Sequence, residues 1–280
     1  MRFSVATVSL PTLTPEEAVT TIASLGYGGV EWRVASPDRP GDPAPPHPFL
    51  SGNLCTLEPG VPDGERARRL CAVTGLAVVG LGPYADLGDT GAVAELMRMA
   101  AAAGAPQIRL QAPRISRTGL PYGELFARTA AFFEEVEGLA AEHGVRAALE
   151  IHHNTICPSA SLAHRLVSRF DPRRIGVIYD VGNLVFEGYE DPRIGLDLLG
   201  PYVVHVHLKN ALCRQEPGTE RWRYAWSPLE SGVLDVPAVL ECLDGFGFEG
   251  WVSLEDLSTD RDPVATLRHN ARLLRTWGFL

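Results

Sequence analysis

The feature that most constrains this chain is its rhythm. Eight short apolar runs, at 2–7, 29–34, 77–81, 107–111, 146–151, 175–180, 203–209 and 251–255, are each followed by a helix-like segment. Their cores read SVAT, GVEW, AVVGL, IRLQ, AALEI, GVIYD, VVHVHL and WVSLE, with polar residues gathering toward the C-terminal ends. Helix starts fall between them: Thr14-Pro15-Glu16-Glu17 opens one, Asp63 another, and an amphipathic stretch over 122–143 is stopped by Gly144. Further helices are expected over 159–170, 235–246 and 263–277. Eight strand-then-helix units predict an α/β protein with a (β/α)8 TIM barrel as one domain over 1–280. An open doubly wound sheet is the rival, but no G-x-G-x-x-G follows the first strand.

Two stretches interrupt the rhythm and are expected to form long loops at the barrel mouth. Residues 35–62 hold SPDRPGDPAPPHPF, in which six prolines in twelve positions enforce extended, non-helical backbone. Residues 211–232 carry Arg214, Arg221, Trp222, Arg223, Tyr224 and Trp226. Loops this long inside a compact domain are often lids.

Charge narrows the choice of partner. The chain has 34 acidic and 25 basic side chains and a net charge of -9, so it lacks the clustered positive charge with which proteins bind phosphate backbones. No nucleic-acid partner is expected. The first residues, MRFSVATVSL, carry no signal-peptide pattern, and no apolar run approaches the roughly 20 residues of a membrane span, so a cytoplasmic protein with no membrane partner is expected. The five cysteines, Cys55, Cys71, Cys157, Cys213 and Cys242, form no C-x-x-C pair and are expected to be reduced and mostly buried.

In a barrel the active site is built where the strands end. The last four strands close on Glu150, Asp180, His207 and Glu255, each terminating an apolar run where an unpaired buried charge would be costly. A divalent cation would supply the counter-charge. Three carboxylates and one imidazole form an oxygen-rich set suited to Mn first, with Mg, Co or Zn also compatible. Any one of these acids could equally be a loop residue or an arginine's partner; four consecutive strand ends of ligand type are harder to explain that way. Residues two apart share a strand face, so Glu150 brings His152 with it, while His207 brings His205 below and Lys209 above. Lys209 is the only lysine among 25 basic residues. A compact ammonium there could stabilise charge on an enolate oxygen or move a proton.

The fragments GYGGVEWR, ALEIHHN, YDVGN, HVHLKN, PLESGVLD and GFEGWVSLE, in that order, resemble the xylose isomerase-like TIM barrel superfamily, which includes sugar isomerases, epimerases and inosose dehydratases. The resemblance covers nearly the whole chain. It implies one divalent metal held by Glu150, Asp180, His207 and Glu255, and places Glu31, His152 and Lys209 near the substrate. Ketose 3-epimerases of the superfamily carry a His where this chain has Asn183 and a Glu where it has Ile156, so the pattern departs from theirs. Its H-x-H-x-K segment is closer to the inositol and sugar-catabolism branches. DNA-repair endonucleases with the same barrel carry additional His and Asp ligands and a basic groove, which this chain lacks.

The expected activity is that of a metal-dependent isomerase or epimerase on a small sugar or keto-polyol, acting by proton abstraction next to a carbonyl through a metal-stabilised enediolate. Glu150 and Glu255 would serve as ligands and as the acid/base pair, one of them bound loosely enough to carry a proton. Lys209 and His152 are further catalytic candidates, and Asn183, Trp222 and Trp226 further substrate contacts. Arg221 and Arg223 read either as anion contacts or as solvated surface charges. Loss of a β-hydroxyl after the same first step gives the alternative, a dehydratase or lyase on an inosose-like substrate. A reading of a different class is a non-catalytic barrel that binds a metal or sugar. Barrels of this resemblance often assemble as dimers or tetramers, so a homo-oligomer is compatible with it.

Overall fold

The computed structural model describes residues 1–36, 47–187 and 189–280; most of the proline-rich stretch, 37–46, lies outside the described residues. Ten strands are described: β1 Arg2–Ala6, β2 Gly29–Arg33, β3 Ala77–Gly82, β4 Gln107–Gln111, β5 Arg146–Glu150, β6 Ile175–Asp180, β7 Val203–Leu208, β8 Asn210–Gln215, β9 Trp222–Ser227 and β10 Trp251–Leu254. Eight of them close a parallel barrel in the order β1-β10-β7-β6-β5-β4-β3-β2. Those eight are the eight runs of the sequence, each matched to within one residue at either end. Parallel strands covered by helices are buried on both faces, which is why their sequences run apolar rather than alternating. All six residues of β6 are buried.

Side chains one apart on a strand part company. On β7, Val206 and Leu208 join the hydrophobic core between barrel and helices, while His205 and His207 meet Glu31 in the interior. Strand register then decides which interior residues become neighbours: His207 lies level with Asp180 of β6 and Ser253 of β10, and Glu150 with Gln111 of β4.

The outer layer follows the expected start and stop chemistry. Thr14 caps Pro15–Ser24 with a complete capping box: its side chain accepts from the Glu17 backbone N–H, and Glu17 accepts from the Thr14 backbone N–H. The helix Tyr122–His143 has the expected bounds and stops at Gly144, whose φ of 64° is the left-handed conformation that a glycine adopts without strain. Asp63 is not a helix opener. The helix is Val61–Thr74, with Gly60 at its cap, because Pro62 suits the first turn. Thr90–Ala103 and Pro192–Leu199 complete the cover behind β3 and β6.

The 211–232 stretch is more ordered than a long loop. Its first part is the antiparallel hairpin β8–β9, paired from Asn210↔Ser227 to Gln215↔Trp222. The run RWRYAWS is rich in aromatic residues that favour strands, and the Glu216 N–H donates to the Arg221 carbonyl across the tip. Among the described residues, no helix is long and apolar enough to cross a membrane.

Candidate functional site

Glu150 and Asp180, the last residues of β5 and β6, converge at the C-terminal mouth of the barrel with His207, the penultimate residue of β7, and Glu255, the residue after β10. Glu150, Asp180, His207 and Glu255 are all buried, and each offers one ligand-type atom within 4.8 Å of the others. His207 lies at their centre. Its Nδ1 faces Glu150 Oε1 at 3.2 Å, Asp180 Oδ2 at 3.4 Å and Glu255 Oε2 at 3.6 Å. Its Nε2 points the opposite way, 3.0 Å from both oxygens of Glu31.

Each member of the cluster is held by a further residue. Glu150 Oε2 accepts from Arg109 Nη1 at 3.2 Å and from Gln111 Nε2 at 2.8 Å. Asp180 accepts from the Asn183 backbone N–H at 2.9 Å and from Asn183 Nδ2 at 2.7 Å. Glu31, also hydrogen-bonded to His205 Nε2 at 2.9 Å, faces His207. Lys209 donates to Asp180 Oδ2 at 2.7 Å and to Glu255 Oε2. The Lys209 stem can pass because residue 182 is glycine: a Cβ there would come within 2.4 Å of Lys209 Cγ.

Burial and charge act against each other here. Burial would raise the Glu31 carboxyl, but His207 and His205 hold it well below the usual carboxylate range. Burial works the same way on Glu150, where Arg109 and then the neighbouring histidines prevail and keep it ionised. Burial would lower His207, yet Glu31 and Glu255 raise it well above its ordinary value. Lys209 is likewise raised against its burial by Asp180, Glu255 and Glu150. Four buried carboxylates thus face two buried permanent cations, Arg109 and Lys209, leaving a deficit of two positive charges when the imidazoles are neutral. A divalent ion would close that deficit.

His152 is half-buried at the mouth, and burial pushes its imidazole down to about 4 despite Glu150 nearby. The ring is therefore neutral near pH 7. Its Nδ1 donates to the His153 carbonyl at 2.7 Å, which leaves Nε2 as the proton-accepting nitrogen. An aromatic column rises from it: His152 stacks on His153 at 4.3 Å, His153 on Phe186 at 4.4 Å, and Phe186 meets Trp226 at 4.8 Å. The Trp226 ring also lies 5.0 Å from Lys209 Nζ. Above this, a cleft of about 230 Å³ is lined by His47, Phe49, Arg214, Tyr224, Trp226 and Leu257. A larger cleft of about 550 Å³ opens at the opposite end of the barrel, among Arg146, Val203 and Gly250, where no ligand set converges among the described residues.

The residues singled out in the sequence are distributed unevenly. Glu150, Asp180, His207, Glu255, Lys209, His152 and Trp226 are brought together. Glu31 is inside the barrel, on the far side of His207 from the carboxylate cluster. Asn183 is taken up within the protein, donating to Asp180 and to the Ile151 carbonyl and paired through Oδ1 with His153 Nδ1 at 2.7 Å. Trp222, 67% exposed at the outer end of β9, is not part of the group. Arg109 and Gln111 escaped the sequence reading. Their signal was present: Gln107, Arg109 and Gln111 alternate along QIRLQ, polar residues on one face of a barrel strand.

The family model described as xylose isomerase-like TIM barrel matches residues 19–277. The chain belongs to this family. One curated relative, an inosose dehydratase of Geobacillus thermodenitrificans, is 32% identical over 137 residues, covering 45% of this chain and 44% of that protein. The chain thus spans about half the length of the curated relatives it matches. Among solved structures, the apo form of a 3-keto-D-glucoside 4-epimerase from E. coli superposes with a TM-score of 0.73 at 17% identity, covering 99% of each chain. The IOLI protein with a zinc atom superposes with a TM-score of 0.72 at 14% identity, covering 100% of this chain and 99% of that one. At such identities these two likenesses speak for the barrel alone.

Proposed function

We propose that this protein is a divalent-metal-dependent enzyme that removes a proton next to the carbonyl of a sugar or keto-polyol, as an isomerase or epimerase. The observation that carries the reading is the convergence of three carboxylates and one imidazole nitrogen within 4.8 Å at the barrel mouth. That donor set fits a hard or borderline divalent cation, with Mn²⁺ first and Mg²⁺, Co²⁺ or Zn²⁺ as alternatives. Glu150, Asp180, His207 and Glu255 would hold it. When bound, the cation supplies Lewis acidity toward a carbonyl oxygen.

The chain's own groups supply the rest. His152 Nε2 carries its free lone pair toward the mouth, where it can accept a hydrogen bond from a substrate hydroxyl; its imidazole, pushed down to about 4 by burial, is a weak base. The Lys209 ammonium can support negative charge as it develops on an oxygen, or return a proton. Glu255 approaches from β10, across the cluster from Glu150 on β5, and is the second carboxylate able to act on the substrate. Trp226 and the column beneath it offer an apolar wall to a sugar-like ring and keep water from one side.

A dehydratase is the second reading, favoured by the name of the inosose dehydratase relative. Proton removal is common to both; loss of a β-hydroxyl instead of reprotonation separates them. Incubation with ketoses, inososes and other keto-polyols in heavy water, with Mn²⁺ present, tests both. Deuterium entering beside the carbonyl supports the shared proton removal; a deuterated isomer or epimer then supports the first reading, and a conjugated enone absorbance supports dehydration. Chelation of the metal and the Glu150→Gln substitution should each abolish either signal. Undiminished turnover in the chelated protein or in the variant would refute the reading.

A further inference from the structure

We infer that Arg109 and Gln111 on β4 are positioning residues that decide which oxygen of Glu150 enters the cation site; this rests on the metal-dependent reading above. The two carboxylate oxygens of Glu150 have different surroundings. Oε2 accepts from Arg109 Nη1 at 3.2 Å and Gln111 Nε2 at 2.8 Å, whereas Oε1 is the oxygen turned to His207 Nδ1 at 3.2 Å. The donors are themselves fixed. Arg109 Nη2 donates to the Pro83 carbonyl at 3.0 Å, and its guanidinium carbon lies 4.8 Å from the centre of the Tyr84 ring. Gln111 lies level with Glu150 across the β4–β5 register, so its amide reaches the carboxylate from the adjacent strand.

The consequence is a one-oxygen ligand. Arg109 and Gln111 hold Oε2 on the β4 side, so Glu150 turns Oε1 alone toward His207 Nδ1, beside Asp180 Oδ2 and Glu255 Oε2, which a cation would share with Lys209 Nζ and, at Asp180, with Asn183 Nδ2. Together with His207 Nδ1 these make four donor atoms and leave the mouth side for substrate. Freed from β4, the Glu150 carboxylate could turn and bind through both oxygens, occupying a position otherwise left for substrate. Hydrogen-bond partners behind metal ligands typically change metal affinity by about 10–100-fold when removed.

Binding of Co²⁺ alone, followed by calorimetry and by its visible absorption, tests the inference on the full chain. Four-coordinate Co²⁺ absorbs more strongly than Co²⁺ with more ligands, so the spectrum reads coordination independently of turnover. Arg109→Met and Gln111→Leu should each bind Co²⁺ about 10–100-fold more weakly than the unaltered protein, with a weaker visible band. Gln111→Leu leaves the Arg109–Glu150 ion pair intact, and so carries the test if Arg109→Met does not fold. Asp180→Asn serves as the control for the cluster itself. If Co²⁺ binds the unaltered protein but not Asp180→Asn, while Gln111→Leu binds with unchanged affinity and spectrum, the positioning role is overturned and the cluster reading stands. If the unaltered protein binds no Co²⁺, or Asp180→Asn binds as well as it does, both fall together.

Discussion

Glu31→Gln separates two roles for one residue. If Glu31 contacts substrate, as the family resemblance implies, removing its charge should raise KM and leave metal binding alone. The structure instead sets its carboxylate against two imidazoles, with His207 Nε2 at 3.0 Å and His205 Nε2 at 2.9 Å. A cation ligated at His207 Nδ1 requires the proton on Nε2, where a carboxylate accepts it and fixes the tautomer. A glutamine keeps the shape but offers one oxygen in place of two. Its NH₂ group, buried beside imidazole N–H groups, then lacks an acceptor, and an unsatisfied buried donor costs about 1–3 kcal/mol. The metal-free protein should therefore lose about that much stability in denaturant titration. Loss of the orienting carboxylate should weaken metal binding about 10–100-fold, equivalent to roughly 1.4–2.8 kcal/mol. Competition for Zn²⁺ or Mn²⁺ against a chromophoric chelator measures this directly. A variant that binds metal within about threefold of the unaltered protein while its KM rises tenfold or more would refute the positioning role and restore the substrate contact.

Two further outcomes follow from placement. Trp226→Ala, which removes the ring beside Lys209 and Phe186, should raise KM about tenfold with a smaller effect on kcat, whereas Trp222→Ala should leave both within about twofold; equal effects of the two, by steady-state kinetics on whichever keto-polyol turns over, would contradict the arrangement of the hairpin. Burial pushes the Cys55 and Cys157 thiols up to about 12 and Cys71 up to about 11, so all three stay protonated near pH 8. A colorimetric thiol reagent at that pH should modify exposed Cys213 quickly and the three buried thiols only after denaturant is added; rapid modification of all five in the native protein would be inconsistent with the packing.

The barrel was legible because its signal is repeated. Each strand is a short apolar run ending in polar residues, and eight repeats make the pattern hard to mistake even though no single run is decisive. The convergence of Glu150, Asp180, His207 and Glu255 was legible for a related reason: strand ends fall at one mouth, so position along the chain converts directly into proximity. Glu31 and Asn183 show where that conversion stops. Glu31 is the central residue of β2 and Asn183 lies three residues past the end of β6, and chain position cannot tell whether such a side chain faces the barrel mouth or the back of another side chain. That choice depends on strand register and rotamer, which bring Glu31 of β2 to His207 of β7 across the barrel. The hairpin β8–β9 was read as a loop because its strands carry charges and Gly218 at the turn, and because an antiparallel pair outside the barrel breaks the alternation used to find strands.

Lys209 ties these points together. As the only lysine in the chain it stood out in the sequence, but rarity could not say what it does. Its ammonium bonds the same oxygens, Asp180 Oδ2 and Glu255 Oε2, that face His207 Nδ1. It thereby supplies part of the positive charge that the carboxylate cluster needs, on a stem admitted by Gly182. A guanidinium is broader and would bind such oxygens as a planar fork, leaving less room beside them for a cation or a substrate oxygen. Arginine stands at the other 24 Lys/Arg positions, including the back of Glu150, where its fork holds one carboxylate oxygen; the slender Lys209 ammonium instead bridges Asp180 and Glu255.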